Sequence, residues 1–289
     1  MGALLDKLAA GPVLGDGGYL MGLRLRGFVE AGAMTPEVVV NYPEEVSKIS
    51  REFKEAGAEV LQTLTFFGTS NMLAPVGLGD RAEEINRTAC RIAREAGGGE
   101  ALVAGNLNSP SIVHGDYNPA DKAMRKRTRG WLDEQLPWLV DEGVDFLIME
   151  TFSWLDEALV ALEVARDAGL ELLVTVSMER EGRETLDGVA SGDCARRLVD
   201  AGANVVGINC LQRPAQMLRC AVAMREATDA PVCCQPSAWH SWWSDSTAET
   251  PYAFAEFARA GIAARIGYLG SCCGAGPEHV GAMAAALGK

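Results

Sequence analysis

The chain has 289 residues, of which 48% are hydrophobic and 22% are charged, a composition typical of a globular protein that can bury a large core. Its formal net charge of −13 argues against a surface for nucleic acid or for an anionic membrane, since phosphate groups repel an acidic protein. The first residues do not resemble a signal peptide, and no apolar run reaches the roughly 18 residues of a membrane helix. We therefore expect a cytoplasmic protein with no membrane partner, whose eight cysteines stay reduced and form no disulfide framework.

Apolar runs with the character of buried strands alternate with amphipathic helical segments along the chain. Most of these runs are continuous rather than alternating, as expected for parallel strands that are covered on both faces. We predict eight strands, at residues 13–16, 59–66, 101–106, 145–150, 170–177, 204–210, 230–236 and 265–271. The helices predicted between them include residues 43–56, 81–96, 129–142, 154–168, 192–201 and 251–260.

Five of these helices end in Ala-Gly or Glu-Gly before the next strand, at Gly57, Gly143, Gly169, Gly202 and Gly261. A glycine at this place commonly adopts the left-handed conformation that stops a helix. A cycle of strand, helix and glycine repeated eight times in about 280 residues predicts an α/β fold, a single (β/α)8 TIM barrel, as one domain over residues 1–289. A doubly wound open sheet is the alternative, but no glycine-rich dinucleotide fingerprint opens a helix near the start.

Polar residues at the strand ends are the first functional candidates, because the active site of a TIM barrel lies at the carboxyl ends of its strands. The predicted strands end in Asp16-Gly17-Gly18, Thr65-Phe66-Phe67, Asn106, Glu150-Thr151, Asn209-Cys210, Gln235 and Cys272-Cys273. Three cysteines thus follow two strands that are separated by only one other strand. Three thiolates with one open position make a zinc site that is suited to binding a further ligand.

The pair Cys272-Cys273 need not bind a metal, since adjacent side chains in a strand point to opposite faces. Two small buried residues and a vicinal disulfide are both alternatives. Gly270 and Gly274 favour the metal, because glycine permits a positive φ on either side of the pair and lets both sulfurs face one point. The second pair, Cys233-Cys234, lies inside an apolar run with no adjacent glycine, and we predict that it belongs to the core.

The type of ligand indicates the type of reaction. Three thiolates donate so much charge to zinc that the ion activates water weakly, which makes hydrolysis a less attractive use of the site. A substrate thiol bound as a fourth sulfur would lose its proton and yet stay nucleophilic. Alkyl transfer to sulfur is the reaction that such a site favours.

Motifs in a fixed order extend over nearly the whole chain. They are Asp16-Gly17-Gly18, Gln62-Thr-Leu-Thr-Phe66, Val144-Asp-Phe-Leu-Ile-Met-Glu150, Gly207-Ile-Asn-Cys210 and Gly270-Ser-Cys-Cys-Gly274 with Pro277 and His279. These motifs resemble those of the zinc-dependent homocysteine S-methyltransferases, and residues 13–68 and 192–202 are most similar to the betaine-homocysteine branch. The resemblance implies a (β/α)8 barrel that binds Zn²⁺ through Cys210, Cys272 and Cys273 and uses homocysteine as the methyl acceptor.

The resemblance also implies that Asp16 and Glu150 bind the amino acid. Two carboxylates at strand ends are suited to holding an ammonium group while the thiol reaches the metal. Gly17 and Gly18 would let backbone amides approach the substrate carboxylate. A turn-forming role for Asp16 and a helix-capping role for Glu150 are the structural alternatives.

The donor site departs from the betaine-type pattern at two positions. Phe67 stands where the betaine enzymes carry a tyrosine, and Met34 stands where they carry a tryptophan. Phe67 keeps a ring for cation–π attraction but has no hydroxyl. The segment 239–243, which begins with Trp239 and contains His240 and two further tryptophans, would supply a replacement aromatic cage, with packing or an interface as the alternative.

We predict zinc-dependent transfer of a methyl group from an onium-type donor, betaine-like or sulfonium, to homocysteine, giving methionine. S-methylmethionine, or methylfolate or a corrinoid on a separate protein, are alternative methyl sources for the same barrel. A non-catalytic zinc-binding protein is the alternative from another class. The expected partners are homocysteine and a small donor, with no nucleic acid, and the oligomeric state stays open, a homo-oligomer included.

Overall fold

The computed structural model describes residues 2–29, 36–110, 117–179, 181–239 and 248–289. Eight parallel strands form one sheet in the order β1-β8-β7-β6-β5-β4-β3-β2. They are β1 Val13–Leu14, β2 Val60–Gln62, β3 Leu102–Asn108, β4 Phe146–Phe152, β5 Leu172–Val176, β6 Val205–Asn209, β7 Val232–Gln235 and β8 Tyr268–Leu269. The N–H of Glu59, just before β2, donates to the carbonyl of Leu14 in β1 (2.8 Å), which brings the two ends of the sheet together. The predicted (β/α)8 barrel is confirmed.

Helices surround this sheet. They are α1 Ala3–Ala10, α2 Tyr19–Leu25, α3 Val38–Asn41, α4 Pro43–Glu55, α5 Ser70–Leu73, α6 Ala82–Gly97, α7 Lys122–Asp141, α8 Leu155–Ala165, α9 Ser191–Asp200, α10 Pro214–Ala227, α11 Pro251–Ala263 and α12 Pro277–Leu287. Two 3-10 turns, Ala74–Val76 and Gly79–Arg81, precede α6. In the part of the chain that the structure describes, no helix combines the length and the hydropathy that crossing a membrane requires.

Three predicted helix boundaries are wrong by three residues or more. Helix α8 ends at Ala165, three residues before its predicted end, and side-chain contacts explain the other two. Helix α7 begins at Lys122, seven residues before the predicted start, because the carboxylate of Asp121 caps it by accepting from the N–H of Ala123 (2.8 Å). Helix α11 does not stop at Gly261 but continues to Ala263. Gly261 is required for space instead, since a Cβ there would lie 2.7 Å from a methyl group of Leu269. The other four predicted glycine stops all have a positive φ, as expected.

Two hydrophobic layers hold the barrel together. Each strand contributes at least one buried side chain to a cluster inside the barrel, and Leu4 of α1 joins this cluster from below. The carboxylate of Glu171 fixes α1 there by accepting from the N–H groups of Leu4 (2.8 Å) and Leu5 (3.2 Å). Cys233 belongs to this inner cluster and Cys234 to the outer one between strands and helices, which confirms that this cysteine pair is core.

Candidate metal and amino-acid site

The three predicted zinc ligands lie together at the carboxyl ends of β6 and β8. The Sγ atoms of Cys210 and Cys273 are 3.6 Å apart, those of Cys272 and Cys273 are 3.9 Å apart, and all three lie within 4.8 Å of one another. A tetrahedral zinc ion with Zn–S bonds of about 2.3 Å separates its sulfur ligands by about 3.8 Å. All three cysteines are free thiols, so the vicinal disulfide considered for the pair is not formed. The sulfur positions therefore fit a tetrahedral metal ion.

Backbone turns, rather than strand geometry, aim these sulfurs at one point. Cys210 and Leu211 both adopt the left-handed conformation, with φ of 62° and 57°, which turns the chain sharply after β6. Gly274 follows the cysteine pair with φ of 80°, as predicted. The prediction of a positive φ at Gly270 is wrong. This glycine is needed for space, since a Cβ there would lie 2.7 Å from Oε1 of Gln235.

Gly274 meets two demands at once, and we expect Gly274→Ala to destabilise the protein and to lower its zinc content. Its φ is positive, and a Cβ would lie 2.6 Å from the Trp239 ring. Gly77 is a matched control, because its φ of 76° is similar and a Cβ there meets nothing within 4 Å. In thermal unfolding, Gly77→Ala should cost about 1–2 kcal/mol with zinc content unchanged, whereas Gly274→Ala should cost more. Equal effects of the two variants on zinc content would contradict this role for Gly274.

The two predicted acids are buried inside the same end of the barrel. Oδ2 of Asp16 accepts from the backbone N–H of Gln62 (2.6 Å). Both oxygens of Glu150 accept from side-chain amides, Oε1 from Asn106 (2.5 Å) and Oε2 from Asn209 (2.7 Å). Burial raises the pKa of Asp16 to about 7 and that of Glu150 to about 8. Neither acid serves as an exposed cap or turn residue, so the cost of burying them calls for a functional explanation.

A cavity of about 280 Å³ joins the sulfurs to the acid. The three cysteines form one part of its wall, and Glu150 forms another. Gly17 and Gly18 also line it and pack closely against the cysteine loop, residues 270–276 between β8 and α12. A Cβ on Gly18 would lie 2.8 Å from the carbonyl oxygen of Cys272. The N–H of Gly18 donates to the carbonyl of Ala275 (3.0 Å). The contact of these glycines with a substrate carboxylate stays a prediction.

Comparison with known proteins identifies the family. A sequence model of the homocysteine S-methyltransferases matches residues 13–287. The chain belongs to this family. It is 36% identical to betaine–homocysteine S-methyltransferase 1 of Xenopus laevis, covering 98% of this chain and 75% of the relative. It is 34% identical to S-methylmethionine–homocysteine S-methyltransferase BHMT2 of Pongo abelii, covering 98% of this chain and 81% of the relative.

Solved structures of a homocysteine methyltransferase have the same fold as this chain. The metallated form of the homocysteine methyltransferase MmuM from Escherichia coli superposes with a TM-score of 0.82 and covers 98% of both chains. Its sequence identity of 21% supports the fold alone. The oxidized form of the same protein superposes with a TM-score of 0.83.

Of the two described residues predicted to bind the donor, one lies in the cavity wall and the other does not. Phe67 is buried in the cavity wall, where its ring meets that of Phe66 edge-on at 4.4 Å between centroids. Its φ of 59° is held by a hydrogen bond from its N–H to Oδ1 of Asn108 (2.9 Å). Trp239 packs on Gly274 behind the cysteine loop and is not part of the described cavity wall. Met34 and residues 240–243 lie outside the described residues, so the aromatic cage stays a prediction.

His279, a residue of the last sequence motif, supports the cysteine loop from the start of α12. Its Nδ1 accepts from the N–H of Gly276 (3.1 Å), which places the ring proton on Nε2. Nε2 then donates to the carbonyl of Glu249 (2.8 Å). The side chain thus connects the loop after β8 to the segment before α11.

Side-chain amides at the strand ends form a network to which sequence reasoning assigned no role. Asn106 donates to Glu150 and also to Oε1 of Gln62 (2.7 Å), and Gln62 approaches Gln235 at 3.4 Å. Asn209 completes this network on the other side of Glu150. Asn106, Asn209 and Gln235 lie at the ends of predicted apolar strands, and that position was the available signal, whereas Gln62 lies inside its predicted strand. Its meaning depends on contacts across the barrel, which strand patterns do not give.

Proposed function

We propose that this protein transfers a methyl group from a small onium donor to the thiol of homocysteine, giving methionine. One observation carries the proposal: three thiols arranged for a metal ion and a buried carboxyl, Glu150, line the same cavity. A thiol-containing amino acid has the two groups that such a cavity can hold. Membership of the homocysteine S-methyltransferase family supports the same reaction.

The cysteine cluster, Cys210, Cys272 and Cys273, would hold Zn²⁺. Thiolate sulfur is a preferred zinc ligand, and three protein ligands leave one coordination position for substrate. Bound there, zinc would supply a site at which the thiol of homocysteine is deprotonated near neutral pH. The metallated state of MmuM agrees with a metal in this fold, while the choice of zinc rests on the sulfur ligands.

Glu150 and Asp16 would hold the ammonium group of homocysteine. A carboxylate that accepts charged N–H donors in a buried site forms a strong hydrogen bond. The positive charge of the substrate would also favour the ionised acids, whose pKa values burial raises in the free protein. The acids therefore orient the amino acid so that its side chain extends towards the three cysteines.

The donor would meet an apolar and aromatic surface formed by Tyr19, Phe66 and Phe67 among others. Aromatic faces attract an onium cation without solvating it as fully as water does. In the transfer, the sulfur lone pair of homocysteine forms a new C–S bond as the donor's bond to that methyl breaks, and the donor leaves as a neutral amine or thioether. The thiol proton passes to solvent on binding, so no base is required at the methyl carbon.

A donor screen with the zinc-loaded protein tests the proposal. Homocysteine is combined with betaine, dimethylsulfoniopropionate, S-methylmethionine or methylfolate, and methionine is measured together with the proton released on homocysteine binding. We expect release of a proton and methionine from at least one onium donor. Turnover with methylfolate alone would favour the alternative donor class. Absence of proton release and of any change in zinc–sulfur coordination would favour a non-catalytic zinc protein.

The cellular context is also part of the proposal. A cytoplasmic location accords with free thiols at the site, because the cytosol keeps thiols reduced. Homo-oligomer formation stays a prediction.

A further inference from the structure

Asn209 occupies a central position in the site and has no role in the reaction as described above. It is the last residue of β6, is fully buried, and directly precedes the metal-ligand candidate Cys210. Its side chain contacts β4, β5 and the cysteine loop after β8. A single amide thus joins the parts of the cavity that would hold the two ends of the substrate.

The backbone fixes the orientation of this amide. The N–H of Thr151 can only donate, so the atom facing it at 3.0 Å is Oδ1 of Asn209. The hydroxyl of Thr175 donates to the same oxygen (2.8 Å). Nδ2 must then point towards Oε2 of Glu150 (2.7 Å) and Oγ1 of Thr151 (2.8 Å), with Sγ of Cys272 at 4.0 Å. The amide has no freedom to flip without losing its contact with the backbone of Thr151.

This amide also stabilises an irregular piece of backbone. Strand β4 changes register against β5 between Met149 and Phe152, and Thr151 within this bulge has φ of 65°. A β-branched residue adopts this conformation only when its surroundings enforce it. The hydrogen bond from Thr151 N–H to Asn209 is one such constraint. Without it, we expect the bulge to relax and the adjacent Glu150 to shift.

The contacts of Nδ2 set an upper limit on the distance between the acid and the cysteine cluster. Because one nitrogen lies near both atoms, Oε2 of Glu150 and Sγ of Cys272 are less than about 7 Å apart. A substrate with its ammonium group on Glu150 and its sulfur at the cysteine cluster must span the corresponding gap. The free amino acid cysteine is one methylene shorter than homocysteine. At a spacing that suits homocysteine, its ammonium group and its sulfur cannot reach Glu150 and the cysteine cluster together.

We propose that Asn209 is a positioning residue that sets the spacing between Glu150 and the cysteine cluster, and thereby selects homocysteine over cysteine. The inference rests on the proposed function and adds its specificity determinant. Enzymes that distinguish two substrates by a single methylene prefer one of them by about 10- to 200-fold, and we expect a preference of this size for homocysteine over cysteine. Asn209 touches neither reacting atom in this scheme and acts through Glu150.

The test compares Asn209→Ser with Asn204→Ser. Asn204 is a matched control that directly precedes the opposite end of the same strand, where its Oδ1 accepts from the N–H of Leu172 (2.7 Å). Zinc content, kcat and KM are measured with homocysteine and with cysteine, and binding of both thiols to the zinc-loaded proteins is measured by calorimetry. For Asn209→Ser we expect KM for homocysteine to rise at least about 10-fold and the preference over cysteine to fall by about the same factor. Zinc content should stay at the wild-type level, and Asn204→Ser should behave as wild type.

Three results would overturn the inference: an unchanged preference for homocysteine, loss of zinc from Asn209→Ser, or an equal change in Asn204→Ser. If Asn209→Ser does not fold, Asn209→Asp replaces it, because it keeps the acceptor for Thr151 and Thr175 and removes the donor facing Glu150. The same loss of preference is expected. A wild-type protein that binds homocysteine over cysteine but methylates neither would contradict the proposed function, and its calorimetry would still decide the role of Asn209.

Discussion

Replacement of Cys210 by serine is expected to weaken zinc binding strongly and to abolish methyl transfer. Its sulfur lies 3.6 Å from that of Cys273, and a hydroxyl at the same position is a poor zinc ligand at neutral pH. We expect metal affinity to fall on the order of 1000-fold, since one of the three proposed protein ligands is lost. Homocysteine should then no longer release a proton on binding. Zinc content by elemental analysis after dialysis, together with methionine formation, measures both effects.

Cys234→Ala is the matched control for this variant. Cys234 is a fully buried cysteine on the neighbouring strand β7, in the outer hydrophobic layer. Its replacement should cost about 1 kcal/mol of stability through the small cavity that it leaves, with zinc content unchanged. A zinc-replete Cys210→Ser protein would show that the ligand set is wrong.

The second large effect is expected for Asp16→Asn, which should stabilise the free protein at alkaline pH while weakening homocysteine binding. The pKa of Asp16 is about 7 in the folded protein, against 3.8 for the ordinary group, because of burial. Between these values the folded state holds a proton that the unfolded state lacks. The free energy of unfolding therefore falls as pH rises from about 4 to about 7, by about 1.4 kcal/mol for each step of one in pH.

Asparagine cannot ionise, and its oxygen can still accept from the N–H of Gln62. We expect the free energy of unfolding of the metal-free variant to exceed that of the metal-free wild type by roughly 2–4 kcal/mol at pH 8. This difference should shrink towards pH 5. The loss of one charged contact should weaken homocysteine binding about 10- to 100-fold. Thermal unfolding from pH 5.5 to 8.5 and calorimetry with homocysteine measure the two effects.

Asp145 provides the control for this prediction. Its Oδ2 also accepts a backbone N–H from a neighbouring strand, that of Val103 (2.6 Å), but it lies at the opposite end of the barrel and pairs with Arg94 (2.9 Å). Asp145→Asn should give no gain in stability at pH 8 and no change in homocysteine binding. If Asp16→Asn were less stable than the wild type at pH 8, the acid would not carry the burial cost assigned to it.

Local patterns in the amino-acid sequence were enough to predict the barrel, its eight strands and the three cysteines as a metal site. A buried parallel strand needs a continuous apolar run, a helix stop favours glycine, and strand ends share one edge of the sheet. The same strand-end pattern places Asp16 and Glu150 at that edge, and their role in binding the amino acid stays a prediction. Helix boundaries were harder to predict, because the start of α7 depends on a single capping aspartate.

The geometry within the site, in contrast, depends on contacts between elements that are distant in sequence. The left-handed conformations of Phe67, Thr151 and Cys210 occur at non-glycine residues, where no local sequence signal indicates them. At Gly270 a Cβ would meet the side chain of Gln235 from another strand. The position of this glycine beside the cysteine pair had suggested a positive φ instead. Asn209 connects three strands and the cysteine loop, and such contacts exist only once the barrel has closed. Strand patterns determine which residues reach the carboxyl edge, whereas the register between strands determines which of them meet.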